Sequence, residues 1–385
     1  MKTVLHDVGV WLPRTKTWLY NQIVSLNPDW TAWAIANRSE NLDEFPFENL
    51  YVLRDRKGKL WWFLQMALRR ARITAHAPSI LRFSKEREPA VLHSHFGTTG
   101  WMNLRLARTL GAKHVVTFYG FDVTLTPRLK NWRSRYLQMF DEVDRVLCEG
   151  PHMADEIHAL GCPREKLTVQ RLGVDVGSLP FRTRKPGDGP IRFLMAGSFR
   201  EKKGLPDGLL ALARLHARQG LPDWQLTIAG GAGSSEEGAA IEQQLKTIAS
   251  DHAIEDRVRY AGFVQHSELI ALGQSHDVFL CPSVRASNGD TEGGAPVVMI
   301  EMAALGLPVL GTTHCDMPYT LGELNRSMLV AEKDVDALSL AVQTLVEAPQ
   351  LWPQIGEQNR HHCETSFDAF KQGQSLSAIY DQLLA

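Results

Sequence analysis

Short apolar runs alternate along this chain with longer stretches whose apolar residues recur at helical spacing. Runs at 91–92, 114–118, 145–148, 167–169, 191–195, 224–229, 258–260, 278–280 and 308–310 are rich in Val, Ile, Leu and Phe. Such runs, bounded by turn residues, suit strands buried on both faces of a parallel sheet. Between them the periodicity predicts helices over 100–110, 152–160, 206–219, 237–252, 267–274 and 335–347. Alternation of this kind means parallel sheets joined by crossover helices. A stretch rich in Pro, Gly and charge at 181–190 separates two such series and reads as a linker. The expected organisation is therefore an α/β domain over 1–180, a second over 181–365, and a helical tail over 366–385. Two doubly wound domains facing one another leave a cleft at the carboxyl ends of their strands, where ligands usually bind in such sheets.

The 385 residues are enough for two cores, and 44% hydrophobic with 22% charged residues is ordinary for a soluble protein. The net charge of −1 conceals an imbalance: residues 51–135 hold 17 Lys and Arg against 4 Asp and Glu. Such an excess suits an anionic surface, whether phospholipid, a lipid diphosphate or nucleic acid. Within it, residues 59–72 combine two Trp with Arg69, Arg70 and Arg72 at helical spacing. This segment reads either as a helix lying in a bilayer interface or as a crossover helix packed on the sheet. No DNA- or RNA-binding motif accompanies the basic excess, so nucleic acid is not expected as a partner. Five cysteines without a C-x-x-C pair argue against a disulfide framework and a zinc site, and for a reducing compartment. No run reaches the roughly 18 apolar residues of a membrane span, and the N-terminus does not read as a signal peptide. A cytoplasmic protein, peripheral at the inner membrane face, is expected.

The most chemical segment runs from Asp290 to Leu310. Gly293, Gly294 and Ala295 form a small-residue loop, Pro296 is expected to open a helix, and Glu292 and Glu301 lie on either side. Proline suits a first helical turn, and glycine lets the backbone approach a ligand closely. A helix N-terminus behind such a loop is suited to phosphate. A second candidate is the turn Ala196-Gly-Ser-Phe-Arg-Glu-Lys-Lys-Gly204, between a strand and a helix, whose cations could neutralise a leaving phosphate.

These segments resemble retaining glycosyltransferases of family 4, which have the GT-B fold. Glu292 and Glu301 resemble the paired acids of that family's Glu-x7-Glu signature, with eight intervening residues here. The resemblance implies that Glu292 meets the donor sugar and Glu301 the ribose. It also implies that Lys203, with Arg200 replacing the Arg that is Ser198 here, clamps the donor diphosphate beside Gly197. His93-Ser-His-Phe-Gly97 and Phe118-Tyr-Gly-Phe-Asp122 are similar to two further family motifs, which assigns His95 and Tyr119 to the sugar. Tyr119 stands where many members have His and cannot carry an imidazolium charge. Gly262-Phe-Val-Gln-His266 is similar to the turn along the nucleotide base, which assigns Val264 there, and Arg171–Asp175 resembles the turn closing the first domain. Residues 11–23 resemble part of a motif found in exopolysaccharide-building members, with Thr15 and Lys16 replacing Ser and Glu. The helix at the C-terminus is expected to cross back onto the first domain.

Other motifs have plainer explanations. Gly230–Gly233 lacks dinucleotide-binding spacing and reads as a tight connection. Asp334-Val-Asp336, a metal-binding pattern elsewhere, reads as a helix start. The paired histidines of 93–95 have no third ligand nearby in sequence, so no metal is expected. The expected function is hexosyl transfer from a nucleoside-diphosphate sugar, UDP or GDP, to a lipid-linked saccharide or glycoconjugate, without metal or other cofactor. Two other readings fit the same residues: a nucleotide-sugar epimerase, and a non-catalytic nucleotide- or saccharide-binding subunit with a decayed site.

Overall fold

The computed structural model describes residues 1–13, 17–71, 73–218 and 222–385. Its strands form two parallel sheets. The first contains β1 (Lys2–Trp11), β2 (Trp30–Ser39), β3 (Leu50–Val52), β4 (Val91–His95), β5 (Lys113–Thr117), β6 (Arg145–Cys148) and β7 (Leu167–Val169), in the order β3-β2-β1-β4-β5-β6-β7. The second contains β8 (Ile191–Ala196), β9 (Trp224–Ala229), β10 (Val258–Gly262), β11 (Val278–Cys281) and β12 (Val309–Gly311), in the order β10-β9-β8-β11-β12. Each sheet reverses its strand order once, between β1 and β4 and between β8 and β11. At such a reversal the flanking crossovers go to opposite faces of the sheet, and the loops beyond the strands part into a crevice.

Strands β4 to β12 coincide, within a few residues at their ends, with the predicted runs. The first three strands were not legible. β1 carries His6 and Asp7 in mid-strand, yet both are buried: Asp7 accepts from Asn103, and His6 meets His95 through Nδ1 while its Nε2 has no partner among the described residues. Half of β2 is Ala or Trp, and β3 has three residues.

Two compact units result: residues 1–173 with 369–385, and residues 174–368. The division falls at 173/174 and 368/369, rather than at 180/181 and 365/366. The reason is burial. Val174, Val176 and Leu179 pack into the second unit's core, and Val174 bridges Asp368. That unit has a core on each face of its sheet, one around Phe193 and Leu212, the other around Phe279 and Met302.

The helix Ala369–Leu384 belongs to the first unit. Its Leu376, Ile379 and Tyr380 pack against Val4, Val91, Val115 and Leu147 of the sheet. Tyr380 also hydrogen-bonds His93 Nδ1 at 2.6 Å. The seat is tight: a Cβ on Gly373 would lie 1.8 Å from the Ser25 carbonyl oxygen. Gly373→Ala is therefore expected to destabilise the first unit by about 1–3 kcal/mol. Urea denaturation should show its transition at lower concentration; an unmoved transition would mean that this helix is not held as described.

Candidate active site

The second unit gathers charge at the reversal between β8 and β11. After β8 the chain passes Gly197, Ser198, Phe199 and Arg200, makes a short turn at Glu201–Lys203, and enters the helix Leu205–His216 at Gly204. Gly204 is required here, since its φ is +60° and a Cβ would lie 1.8 Å from the Pro282 carbonyl oxygen. Gly230, at φ +138°, likewise lets the end of β9 touch the Gly197 carbonyl. The loop after β11 then lies directly against this turn. Val284 N–H donates to the Lys202 carbonyl at 2.9 Å, and Glu201 accepts from Ser287 N–H and Oγ at 2.8 and 2.6 Å.

Acids and bases pair across the two loops. Asp290, buried, accepts from Arg200 at 2.7 Å and lies 3.4 Å from Lys202 Nζ. Lys203 Nζ sits 2.9 and 3.0 Å from the two oxygens of Glu292, whose side chain is only 7% exposed. Ser283 donates to the same carboxylate at 3.0 Å. Burial alone would raise the Glu292 carboxyl, but Lys203 and Lys202 outweigh it and hold it below the usual range. Burial would likewise lower the Lys203 ammonium, and Glu292 more than offsets that. The backbone of Glu292 is fixed too. Its N–H donates to His314 Nε2 at 3.1 Å, which leaves the His314 proton on Nδ1, donated to Glu332 at 2.7 Å.

Beyond Glu292 the chain turns through Gly293, at φ +82°, and enters the helix Val297–Ala304. Pro296 is its cap and not its first residue, because its ψ of 127° is still extended. Glu301, on this helix, is buried apart from one contact: His266 Nε2 lies 2.8 Å from its carboxylate. His266 opens the helix His266–Ser275 that follows β10. Val264, two residues earlier, is partly buried against the same core as Ala295.

The first unit places a different chemistry at its own strand reversal. His6 on β1 and His93 on β4 are register partners, and His95 follows on the same face. His6 Nδ1 and His95 Nε2 are 3.0 Å apart, and His95 Nδ1 is 2.5 Å from the Tyr119 hydroxyl. Tyr119 in turn donates to Gln22 at 3.3 Å. Burial drops His6 to a pKa of about 3 and His93 well below its ordinary value, so these rings are neutral at pH 7. His6 is thus the third imidazole that the sequence did not reveal, and the three rings have ligand atoms within 4.8 Å. Of their nitrogens, His6 Nε2 has no hydrogen-bond partner among the described residues. His93 is stacked on His95 at 4.3 Å, and both its nitrogens bond hydroxyls, of Tyr380 and Thr117. Asp122 organises the neighbouring loop by accepting from the N–H groups of Gly97, Tyr119 and Gly120 at 2.8–3.0 Å. Burial, countered by those N–H groups, lifts its pKa to about 6.

Residues 180–362 match the family described as Glycosyl transferases group 1, and residues 38–178 match Glycosyltransferase Family 4. Both units are glycosyltransferase domains. The colanic acid biosynthesis glycosyltransferase WcaL of Escherichia coli is 28% identical over 92% of this chain and 88% of its own length. The amylovoran biosynthesis glycosyltransferase AmsK of Erwinia amylovora is 29% identical over 75% of this chain and 69% of its own. A glycosyltransferase from Rickettsia africae superposes over 100% of this chain and 98% of its own with a TM-score of 0.76 at 15% identity. Anabaena Alr3699/HepE, solved in complex with UDP, gives 0.75 at 13% identity, covering 99% and 100%. The fold is GT-B.

Of the residues singled out in this glycosyltransferase's sequence, Arg200, Lys203 and Glu292 meet in one network, with Gly197 against the Lys203 side chain. Ser198 lies half-buried in the same turn. Glu301 is held separately by His266, and His95 and Tyr119 share the first unit's chain of hydrogen bonds. Thr15, Lys16 and Arg72 lie outside the described residues. Asp334 caps a helix by accepting from Ala337 N–H, and Asp336 pairs with Arg214. Sequence reasoning missed Asp290, Lys202, Ser283, His266, His314 and Gln22. Asp290, Lys202, His266 and Gln22 lie within quoted segments without being singled out there; Ser283 and His314 carry no local signal.

The Lys203–Glu292 pair generates a test. Lys203→Met alone leaves a buried carboxylate without its cation and should cost about 3–5 kcal/mol. Lys203→Met with Glu292→Leu should recover most of that in urea denaturation; simple additivity would refute the coupling. Glu292's lowered pKa gives stability that is complete above about 4.3 and lost as pH falls through the folded value. Lys203's raised pKa gives stability lost only as pH rises above its ordinary value, about 10.4. The difference between wild type and the double variant should therefore hold through neutral pH and shrink in acid.

Proposed function

We propose that this glycosyltransferase is a retaining hexosyltransferase that uses a nucleoside-diphosphate sugar, UDP or GDP, and acts in exopolysaccharide assembly. The observation that carries the donor assignment is the network of Arg200, Lys202 and Lys203 with Asp290 and Glu292 at the β8/β11 reversal. Three acids pair with these three cations, Glu237 lying 3.7 Å from Arg200. A diphosphate docking beside them takes over part of this pairing, and the helix at Val297 adds its N-terminal dipole. Of roughly four lone-pair sites on the Glu292 carboxylate, Lys203 and Ser283 occupy three, which leaves one for a donor-sugar hydroxyl. Glu301 takes the ribose diol, with His266 moving aside or sharing the carboxylate.

In the reaction, the acceptor hydroxyl oxygen bonds the anomeric carbon while the bond from that carbon to the diphosphate oxygen breaks. The acceptor proton passes to the departing phosphate on the same face, which retains the anomeric configuration. Arg200 and Lys203 stabilise the charge that grows on the leaving group, without a metal ion. His95 and Tyr119, hydrogen-bonded to one another, are the first unit's candidates for contact with a sugar hydroxyl, and burial keeps the Tyr119 phenol neutral. The names of the two bacterial relatives support an exopolysaccharide context; the acceptor in this reading is a lipid-linked saccharide, met in peripheral contact with a membrane.

Thermal-shift binding of UDP, GDP, ADP and dTDP to wild type and to Glu301→Ala tests the donor site. One nucleotide should stabilise the wild type, by about 2.7 kcal/mol at a hundred times its Kd, and the variant should lose most of that. No shift with any nucleotide at saturating concentration would overturn the donor assignment and favour a decayed site. Turnover of the matching donor sugar into a new anomer without acceptor would indicate an epimerase instead.

A further inference from the structure

The helix Leu53–Arg70 is kinked at Gly58, whose φ and ψ are 72° and 165°. After the kink it has the wrong side outward for a surface helix. Leu60 is 85% exposed, Phe63 62%, Leu64 48% and Trp61 45%. At 100° per residue, Leu60, Leu64 and Ala67 share one outer stripe, with Phe63 beside it. Its inner side is well satisfied: Trp62 and Met66 pack on the core, and Gln65 accepts from Ser79. Arg69 also points inward, bonding Asn103 at 2.9 Å and lying 3.7 Å from buried Asp7. Arg69 therefore anchors the helix and is not part of its outer surface, contrary to the sequence reading that grouped it with Arg70 and Arg72.

The sequence around this stripe is rich in cations. Between Asp55 and Glu86 the sequence holds eight Lys and Arg and no acid. Lys59 and Arg70 flank the stripe on the side of Phe63, both exposed. Exposed Ile73 extends the apolar surface just beyond the helix. A partner protein surface or a second copy would satisfy the apolar residues but gives no reason for Lys59 and Arg70 beside them in a stretch of sequence without acids. A bilayer of anionic phospholipid satisfies both, with apolar side chains below the headgroups and cations on phosphate.

We propose that the outer face of this helix, through Leu60, Phe63 and Leu64 with Lys59 and Arg70, seats the protein on anionic phospholipid membrane. This deepens the preceding reading by naming the surface at which a lipid-linked acceptor is met. It rests on the helix itself and not on the donor site.

Flotation of the full chain with phosphatidylcholine vesicles, with and without phosphatidylglycerol, tests it. Wild type should float only with the anionic vesicles, and less so at high salt. Leu60→Gln with Leu64→Gln should lower the bound fraction at least about tenfold, and Lys59→Gln with Arg70→Gln about tenfold as well. Arg69 is left unaltered because its loss would disturb the fold. Nucleotide binding and thermal unfolding should be unchanged in all variants, which separates failure here from failure of the donor assignment. Equal flotation with both vesicle types, or none with either, would overturn the proposal. So would sedimentation showing a dimer that Leu60→Gln with Leu64→Gln dissociates.

Discussion

Charge that leaves water must be paired, and in the second unit this constraint fixes the candidate site. Parallel strands β8 and β11 end side by side, and the crevice between their loops has no regular backbone ladder to close it. What joins the loops is chiefly a set of ion pairs, Asp290 with Arg200 and Lys202 and Glu292 with Lys203, with hydrogen bonds from Ser287 to Glu201 and from Val284 N–H to the Lys202 carbonyl. Each buried acid needs its cation and each cation its acid, so neither loop can settle without the other. The glycines at 204 and 230 remove the Cβ atoms that would hold the backbones apart. The result is a turn carrying Arg200, Lys202 and Lys203, already arranged beside a glycine loop and a helix N-terminus.

The first unit obeys the same constraint with neutral groups. His6, His93 and His95 are completely buried at a strand reversal, where an imidazolium would be costly, and burial keeps His6 and His93 neutral. Hydroxyl and amide partners then supply hydrogen bonds: Tyr380 from the C-terminal helix, Thr117 from β5, and Tyr119 leading to Gln22. On the opposite face of the same strands, Asp7 stays ionised at a pKa of about 2 because His76, Arg69 and Asn103 outweigh its burial. The last helix of the chain is thus part of the polar centre of the first unit, and Arg69 ties the helix with the apolar outer face to that centre.

Much of the architecture was legible because its signals are local. Nine strands announce themselves as apolar runs, and the crossover helices by their periodicity. Arg200, Lys203, Glu292 and Glu301 stand in short motifs next to strand ends, where a parallel sheet places its functional loops. β1 was illegible because His6 and Asp7 look like surface residues until their partners, 70 to 100 positions away in sequence, are known. The residues between 174 and 179 looked like the end of the first domain because nothing local reveals which core takes Val174, Val176 and Leu179.

The sequence by itself determined the fold class, the two series of parallel strands, and the residue types available at each strand end, since propensity, periodicity and turn chemistry act over a few residues. Only the tertiary structure decided which charges pair, that Asp290 and His314 support Arg200 and Glu292, that His6 joins the other two imidazoles, and that Arg69 faces inward while Leu60 and Phe63 face solvent. The physical reason is that pairing and burial depend on which distant segments become neighbours. That is settled when two sheets choose their strand orders and cover their faces, and no short stretch of chain encodes it alone.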